Sequence, residues 1–396
     1  MKLNDLKTKT SEALSRELGL NPNNKALEKF MAMGLPSKKS EAYRYFYVEK
    51  LLDNEYETLE YVPRPIEVGE QIEIVDGVVT TAPQGMRIYY EACEQIDDDH
   101  FDPLYYLGHA LYPQTIKIEV DGDAELKLLH RFTKSNALIN YRIVLFNQAN
   151  RHSTIYETFD AEGIENSLVM YGYDMHIAQD SSFRLFKVQT MQEQNYSMIA
   201  SHKINVAKQA TTMYKSFDLG GDQALQLIKI DLGEWAHIDA QHLLYLNAQS
   251  KRGTVSQIIH KGEHSTSNQE AKNILDGDAR GIFDALIKVE KTAKHTKAYQ
   301  NSKAILLHEK AYMIAKPQLE IYIDELEAAH GSTTGQLDPQ QLFYLQSRGI
   351  SAVEARKMLV IAFANAMMET IRDSRHQELI RAEFDKVFYA NAKELL

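Results

Sequence analysis

The chain has 396 residues, more than one compact core usually holds, so two or three structural units are expected. Its 44% hydrophobic and 25% charged residues are ordinary for a globular protein, and no apolar run approaches the ~18 residues that span a bilayer. A formal net charge of −11 argues against a generic nucleic-acid binder and against docking on an anionic membrane, because both need clustered Lys and Arg.

The N-terminal MKLNDLKTKTSEALSREL is polar, helical in pattern and without the apolar stretch of a secretory signal, which predicts a cytoplasmic protein. Leu3, Leu6, Ala13, Leu14 and Leu18 recur at three-to-four spacing before a stop at Gly19. A second short helix carries Leu27, Phe30 and Met31 and ends at Gly34. Residues 1–55 therefore read as an N-terminal helical domain, with Lys38–Lys39 as solvated loop charge. Residues 56–112 mix short strands with Pro, Gly and Asp turns and read as a connecting segment of unassigned order. Cys93, the single cysteine, falls there. One thiol excludes an intramolecular disulfide and any zinc or cluster held by several thiolates of this chain. Its alternating context, MRIYYEACEQI, points to a buried structural thiol.

Residues 113–335 carry the clearest pattern. QANRHSTIYETF, IAQDSSFRLFKV, VAKQATTMYKSF and WAHIDAQHLLYL align on Ala149, Ala178, Ala207 and Ala236, each 29 residues after the last. Two further steps reach Ser265 and Lys294. Each unit has a polar turn and then an alternating strand, such as Phe183 and Leu185 or Met213, Lys215 and Phe217. A fixed period with strands of period two predicts a β-solenoid whose coils stack their apolar faces. The alternative is two packed antiparallel sheets with evenly spaced turns. A solenoid exposes strand edges at its ends, which terminal helices could cover.

Residues 336–396 read as a C-terminal helical domain. Asp338 is a natural N-cap with Pro339 at the first helical position, and Gly349 stops the helix after Leu342, Phe343 and Leu345. Ser351 and Glu354 make a capping-box pattern ahead of an apolar stripe of Leu359, Phe363, Met367 and Ile371. A last helix places Leu379, Ile380, Phe384, Val387 and Phe388 on one face. Such stripes form core or present a face to a partner.

No phosphate-loop, GxGxxG, HExxH, CxxC or GxSxG motif occurs, so no catalytic role is expected. His260 and His264 of HKGEH lie in a strand-and-loop context that makes them an incidental pair, and His237 and His242 point to opposite faces of one strand. His330 stands in AAHGSTTG, read as a short loop of small residues that lets another chain approach an iron-ligating imidazole. The competing reading is a turn histidine bonded to a carbonyl.

PQLEIYIDELEAAHGSTTGQLDPQQLFYLQSRGISAVEARKMLVIAFANAMMETI resembles the C-terminal signature of the SufB/SufD family, scaffold subunits of SUF iron–sulfur cluster assembly. HSTSNQEAKNILDGDARGIFDALIKVEKTAKHTKAYQNSKAILL and GLPSKKSEAYRYFYVEKLL resemble two further family blocks, and the strong likeness covers about 262–371. The resemblance implies a right-handed parallel β-helix flanked by N-terminal and C-terminal helical domains. It implies pairing with a SufB-like subunit through the β-helix, with self-pairing left open when that partner is absent. It further implies docking of a SufC-type ABC ATPase on the C-terminal helices, through Leu342, Phe343, Tyr344, Leu345, Arg348, Gly349, Leu359 and Phe363. ATP hydrolysis would then belong to the ATPase, whose closure opens the paired scaffold for assembly of a transient iron–sulfur cluster. His330 takes the place of the family's cluster-ligand histidine, and a reduced flavin is implied for the complex rather than for this chain.

Ala328 and Ala329 stand where the family often has Cys and Ser, Tyr43 replaces a Trp, and Asp284–Ala285 replaces a Gly. A persulfide needs a thiol, so this loop cannot receive sulfur as SufB does, and the resemblance is nearer SufD. Two other readings compete: a purely structural partner with an inert His330, and a β-helix enzyme acting on polysaccharide. The latter predicts a secretion signal and charged residues stacked along one face, and neither is present.

Overall fold

The computed structural model describes residues 2–8, 25–37, 43–46, 48–92, 96, 101–112, 114–161, 163–190, 195–221 and 223–391. Ala13, Leu14, Leu18, Gly19, Lys38, Lys39 and Cys93, singled out above, lie outside them.

Alternation of buried and exposed positions drives the middle of the chain into strands, and the strands wind into a parallel β-helix. A ten-stranded and an eleven-stranded sheet face each other, and from Gln114–Val120 onward successive strands of the chain alternate between them. Every coil-to-coil pairing is parallel; among the described residues only Ile72–Val75 with Val78–Ala82 and Arg87–Ala92 with Gln114–Val120 are antiparallel. The antiparallel-sandwich alternative is thereby excluded. Inward residues stack in register, as Tyr141 on Tyr171 on Ala200, so each coil buries its apolar face on the next.

The repeat is not a fixed 29 residues. Ser182 pairs with Thr211, but Thr211 pairs with His237, a step of 26. Ala236 therefore registers with Ala210 rather than Ala207. Lys294 is likewise out of register, because Thr266 pairs with Lys297. The three-residue contraction falls at one corner. Thr190 to Ser197 becomes Leu219 to Gln223 in the next coil, where Gly220 and Gly221 take φ of 71° and 97°. Two adjacent glycines turn the chain more tightly than side chains permit.

The terminal helices cover faces, not ends. Helix α1 (Lys25–Met33), helix α2 (Val48–Asp53) and helix α3 (Pro103–Ala110) pack Leu27, Phe30, Leu52 and Leu104 on the outer face of the ten-stranded sheet, against Leu168, Ile199 and Leu225. Tyr43, in the place of the expected Trp, donates its hydroxyl to the carboxylate of Asp102, the N-cap of α3, at 2.6 Å.

At the other terminus lie α4 (Pro339–Ser347), α5 (Ala352–Met368) and α6 (Ser374–Asn391). Asp338 caps α4 by accepting from Gln340 N at 2.8 Å, and Ser351 caps α5 by accepting from Glu354 N at 3.2 Å. Helices α5 and α6 bury Val360, Ala364, Met367, Met368, Ile380, Phe384 and Phe388 against Phe186, Phe217 and Tyr245 of the eleven-stranded sheet. The expected stripe is rotated: Leu359 and Phe363 are half-buried shoulders, and Leu379 is exposed.

Two polar contacts latch these helices to the sheet. Lys215 Nζ donates to Thr370 Oγ1 at 2.6 Å, with Gln241 Oε1 2.8 Å from the same hydroxyl. Lys272 Nζ donates to the Phe363 carbonyl at 2.9 Å. Thr370→Val keeps the shape but takes the closest acceptor from the buried Lys215 ammonium, leaving Asp239 at 3.8 Å, so a loss of about 1–3 kcal/mol is expected in denaturant unfolding. An unchanged midpoint would show that the latch contributes nothing.

Candidate functional site: the uncovered last coil

The last coil consists of Tyr312–Ile321 and Leu326–Gly335, each paired on one side only. Burial falls away here: Tyr312, Ile321 and Tyr322 are 55%, 40% and 50% exposed. Terminal helices that could have covered this edge lie on the sheet faces instead, so unpaired backbone groups and aromatic rings remain at the surface.

AAHGSTTG is not a loop. It forms the body of strand Leu326–Gly335, the last of the eleven-stranded sheet, because the coil repeat continues one turn further than the small residues suggest. His330 is exposed and registers with Gln300, which is 2% exposed and on the inward face of the preceding strand. His330 thus occupies an inward position in a coil that no further coil covers. Among the described residues no group of three or more His, Cys, Asp and Glu side chains is placed to hold a metal ion. His330 can supply one ligand at this edge, and a complete coordination shell needs donors from another chain.

A column of amides and imidazole runs inward behind His330. Gln300 Nε2 donates to Gln269 Oε1 at 3.0 Å. Gln269 Nε2 donates to Ser256 Oγ at 2.8 Å and lies 3.5 Å from His242 Nε2. His242 Nδ1 is 2.9 Å from Ser216 Oγ, and burial pushes His242 down to about 4, so its imidazole is neutral. An amide donating to Nε2 leaves the proton on Nδ1, which then donates to Ser216. Gln300 Oε1, buried one strand in from His330, has no partner. Sequence reading set His242 aside and missed Gln269 and Gln300. Only the uneven coil steps place them in one column.

Other expected site residues lie elsewhere. Helix α4 buries nothing: Phe343 is 72% and Tyr344 57% exposed, Leu342 and Leu345 are half-buried, and Gly349 is exposed. The exposed Arg348 stacks its guanidinium over the Tyr344 ring at 5.3 Å. Leu359 and Phe363 continue this surface along α5, with Lys272 Nζ 4.9 Å from the Phe363 ring. These eight residues lie on α4, the turn after it and α5, whereas His330 lies on the last strand. His260 ends strand Lys251–His260 in the bore, bonded to Ser265 and Ser267, whereas His264 stacks on Trp235 at the corner, 3.9 Å between ring centres. The pair shares no site.

Residues 130–363 match the family model described as SUF system FeS cluster assembly, SufBD core domain. The chain belongs to the SufBD family. It is 25% identical over 385 residues to iron–sulfur cluster assembly protein SufD of Escherichia coli, covering 90% of each chain. It is 32% identical over 131 residues to SufD of Bacillus subtilis, 33% of this chain and 30% of that protein. A SufBD family protein of Synechocystis is 34% identical over 129 residues, 33% of this chain and 28% of that one. Membership carries a role in iron–sulfur cluster assembly, and the SufD likeness over nearly the whole chain agrees with the missing thiol at Ala328. No helix among the described residues is long and apolar enough to cross a membrane.

Proposed function

We propose that this chain is the SufD-like, non-catalytic subunit of a cytosolic SUF scaffold, pairing with a SufB-like subunit and coupled to a SufC-type ATPase. The observation that carries this reading is the division of the surface. One end of the β-helix is left uncovered and bears His330, while the exposed aromatic face of α4 and α5 lies on a separate element. A strand edge flanked by Tyr312 and Tyr322 suits coil-on-coil pairing with a second β-helix. Phe343 and Tyr344 suit insertion into a groove of the ATPase. The test is capture of the tagged full-length chain from its own cells with identification of what co-purifies. An ABC-type ATPase and a SufB-like protein are expected, and absence of both overturns the reading.

At the paired edge His330 would donate one imidazole to the nascent cluster, the cargo of the complex, with sulfur ligands from the partner. His330→Ala is expected to lower iron and acid-labile sulfide in the purified complex by about tenfold or more. Size-exclusion chromatography checks that the subunits remain together. Full cluster content in an intact mutant complex would leave the purely structural reading.

A further inference from the structure

The bore of the β-helix holds charge as well as amides. Lys187, Asp218 and Arg252 come from three coils and are all buried. Asp218 Oδ1 accepts from Lys187 Nζ at 2.7 Å and from Arg252 Nη1 at 2.9 Å. The lysine completes its donors with Gln189 Oε1 at 3.3 Å and Gln226 Oε1 at 3.1 Å. Arg252 Nη1 also reaches Gln189 Oε1 at 3.3 Å. Arg252 Nε and Nη2 have no partner, although the residue is 3% exposed. These two nitrogens form one edge of the guanidinium plane, whose parallel N–H bonds grip an anion from two points.

Lys187, Gln189, Asp218, Gln226 and Arg252 line a cavity with about 10 Å³ open to the centre of a water-sized sphere. That is room for one water or one ion of similar size. Two cations face one carboxylate. No other carboxylate among the described residues lies within 4 Å of either cation. Glu157, on the strand beside Lys187, is committed to His130 Nε2 at 2.7 Å and the Tyr173 hydroxyl at 2.5 Å. Burial and the Lys187 charge hold His202 well below its ordinary range, so it adds no charge, and His242 is neutral as described. Burial pushes Tyr196 up to about 12 and Tyr214 well above its usual value, so neither phenol ionises.

We propose that this cavity binds a small monovalent anion of halide size, chloride in the cell, on the Nε–Nη2 edge of Arg252. Two buried cations in contact with a single carboxylate, two convergent donors and space for one small particle set the class. A carboxylate or phosphate does not fit the space. A water molecule would satisfy the donors but bring no charge to the second cation that shares Asp218. The site stands apart from the partner surfaces and does not depend on the reading given to them.

The full-length protein, exchanged into gluconate at fixed ionic strength and titrated with chloride or bromide, tests this directly. Thermal stability should rise with halide and saturate as expected for a ligand bound only by the native state. Crystals soaked in bromide should show an anomalous peak beside Arg252. Arg252→Lys keeps the charge but loses the two-donor edge, and its halide affinity should fall at least about tenfold, the loss of one charge-assisted bond. Lys187→Met removes one of the two cations and leaves the Asp218–Arg252 pair, so it should weaken the response as well, which serves if the arginine variant fails to fold. A wild-type stability indifferent to halide, a bromide peak confined to the surface, or a full response in either folded variant overturns the proposal.

Discussion

Asp174→Ala is expected to unfold with about 3–5 kcal/mol less stability than the natural chain, seen as a lower denaturant midpoint at unchanged slope. Asp174 stands where α3 meets the ten-stranded sheet. Its carboxylate takes the Tyr105 hydroxyl at 2.7 Å, lies 3.0 Å from His109 Nε2 and 3.4 Å from Arg142 Nη2. Arg142 is 1% exposed and donates through Nη1 to the Ser201 carbonyl and hydroxyl, both at 2.8 Å. Its guanidinium crosses the sheet only because residue 172 is glycine. A Cβ there would lie 2.1 Å from Nη1 and 1.8 Å from the Ser201 carbonyl oxygen. Removing the carboxylate leaves the arginine charge buried and unpaired, the costly half of breaking an ion pair.

The pH dependence has a definite sign. Burial alone would raise the Asp174 pKa, but His109 and Arg142, with the bond from Tyr105, outweigh it and hold the group far below the ordinary carboxylate range. A carboxylate depressed on folding contributes fully above its unfolded pKa of about 3.9 and loses that contribution as pH falls toward the folded value. The gap between Asp174→Ala and the natural chain should therefore narrow below about pH 4. A gap that stayed constant into acid would mean that the loss comes from packing and not from charge.

Most of the architecture was legible because it rests on local signals. Alternation marked the strands, Asp338 with Pro339 and Ser351 marked two helix starts, and Gly349 marked a stop that the structure places at φ 86°. The coil register was legible only where neighbouring coils are equally long. Ala149, Ala178 and Ala207 sit at matching corners to within one residue, and the run fails at the Gly220–Gly221 turn, whose contraction no period reveals. Where the helices dock was not legible at all. An apolar stripe on α5 says that something is covered, not whether it is an edge or a face.

The candidate site divides the same way. His330 was found through its motif, whereas its setting was misread, because small residues such as Ala328, Gly331 and Thr334 are as compatible with an edge strand as with a loop. The inward column of Gln300, Gln269 and His242 has no sequence signature. Each residue sits in an alternating strand like any other, and a partnership across coils depends on steps that range from 26 to 31 residues. Ser216 joins them only because the short coil brings it opposite His242.

On the docking proposed above, the combined change Phe343→Asp with Tyr344→Asp should weaken capture of a SufC-type ATPase by about 2–4 kcal/mol, roughly 30- to 1000-fold, without changing the fold. Aromatic anchors carry a disproportionate share of interface energy, and these two rings lie on a helix with no buried residue. The free chain therefore has little packing to lose at these positions, and its thermal stability should stay within about 0.5 kcal/mol. Helix α4 keeps its Asp338 cap and its contact with α5 in the variant. Leu379→Asp is the matched control, since Leu379 is 47% exposed on a different helix, α6. It should leave capture intact. The measurement is binding of the purified ATPase to immobilised full-length chain at two salt concentrations. Loss caused by the apolar anchors changes little with salt, whereas a surface held by Arg348 alone would weaken steeply. Undiminished capture by the double variant would remove α4 from the interface and leave α5, through Leu359 and Phe363, as the remaining docking face. Loss of capture with His330→Ala instead would place the ATPase at the edge of the last coil and dissolve the division of surfaces on which the functional reading stands.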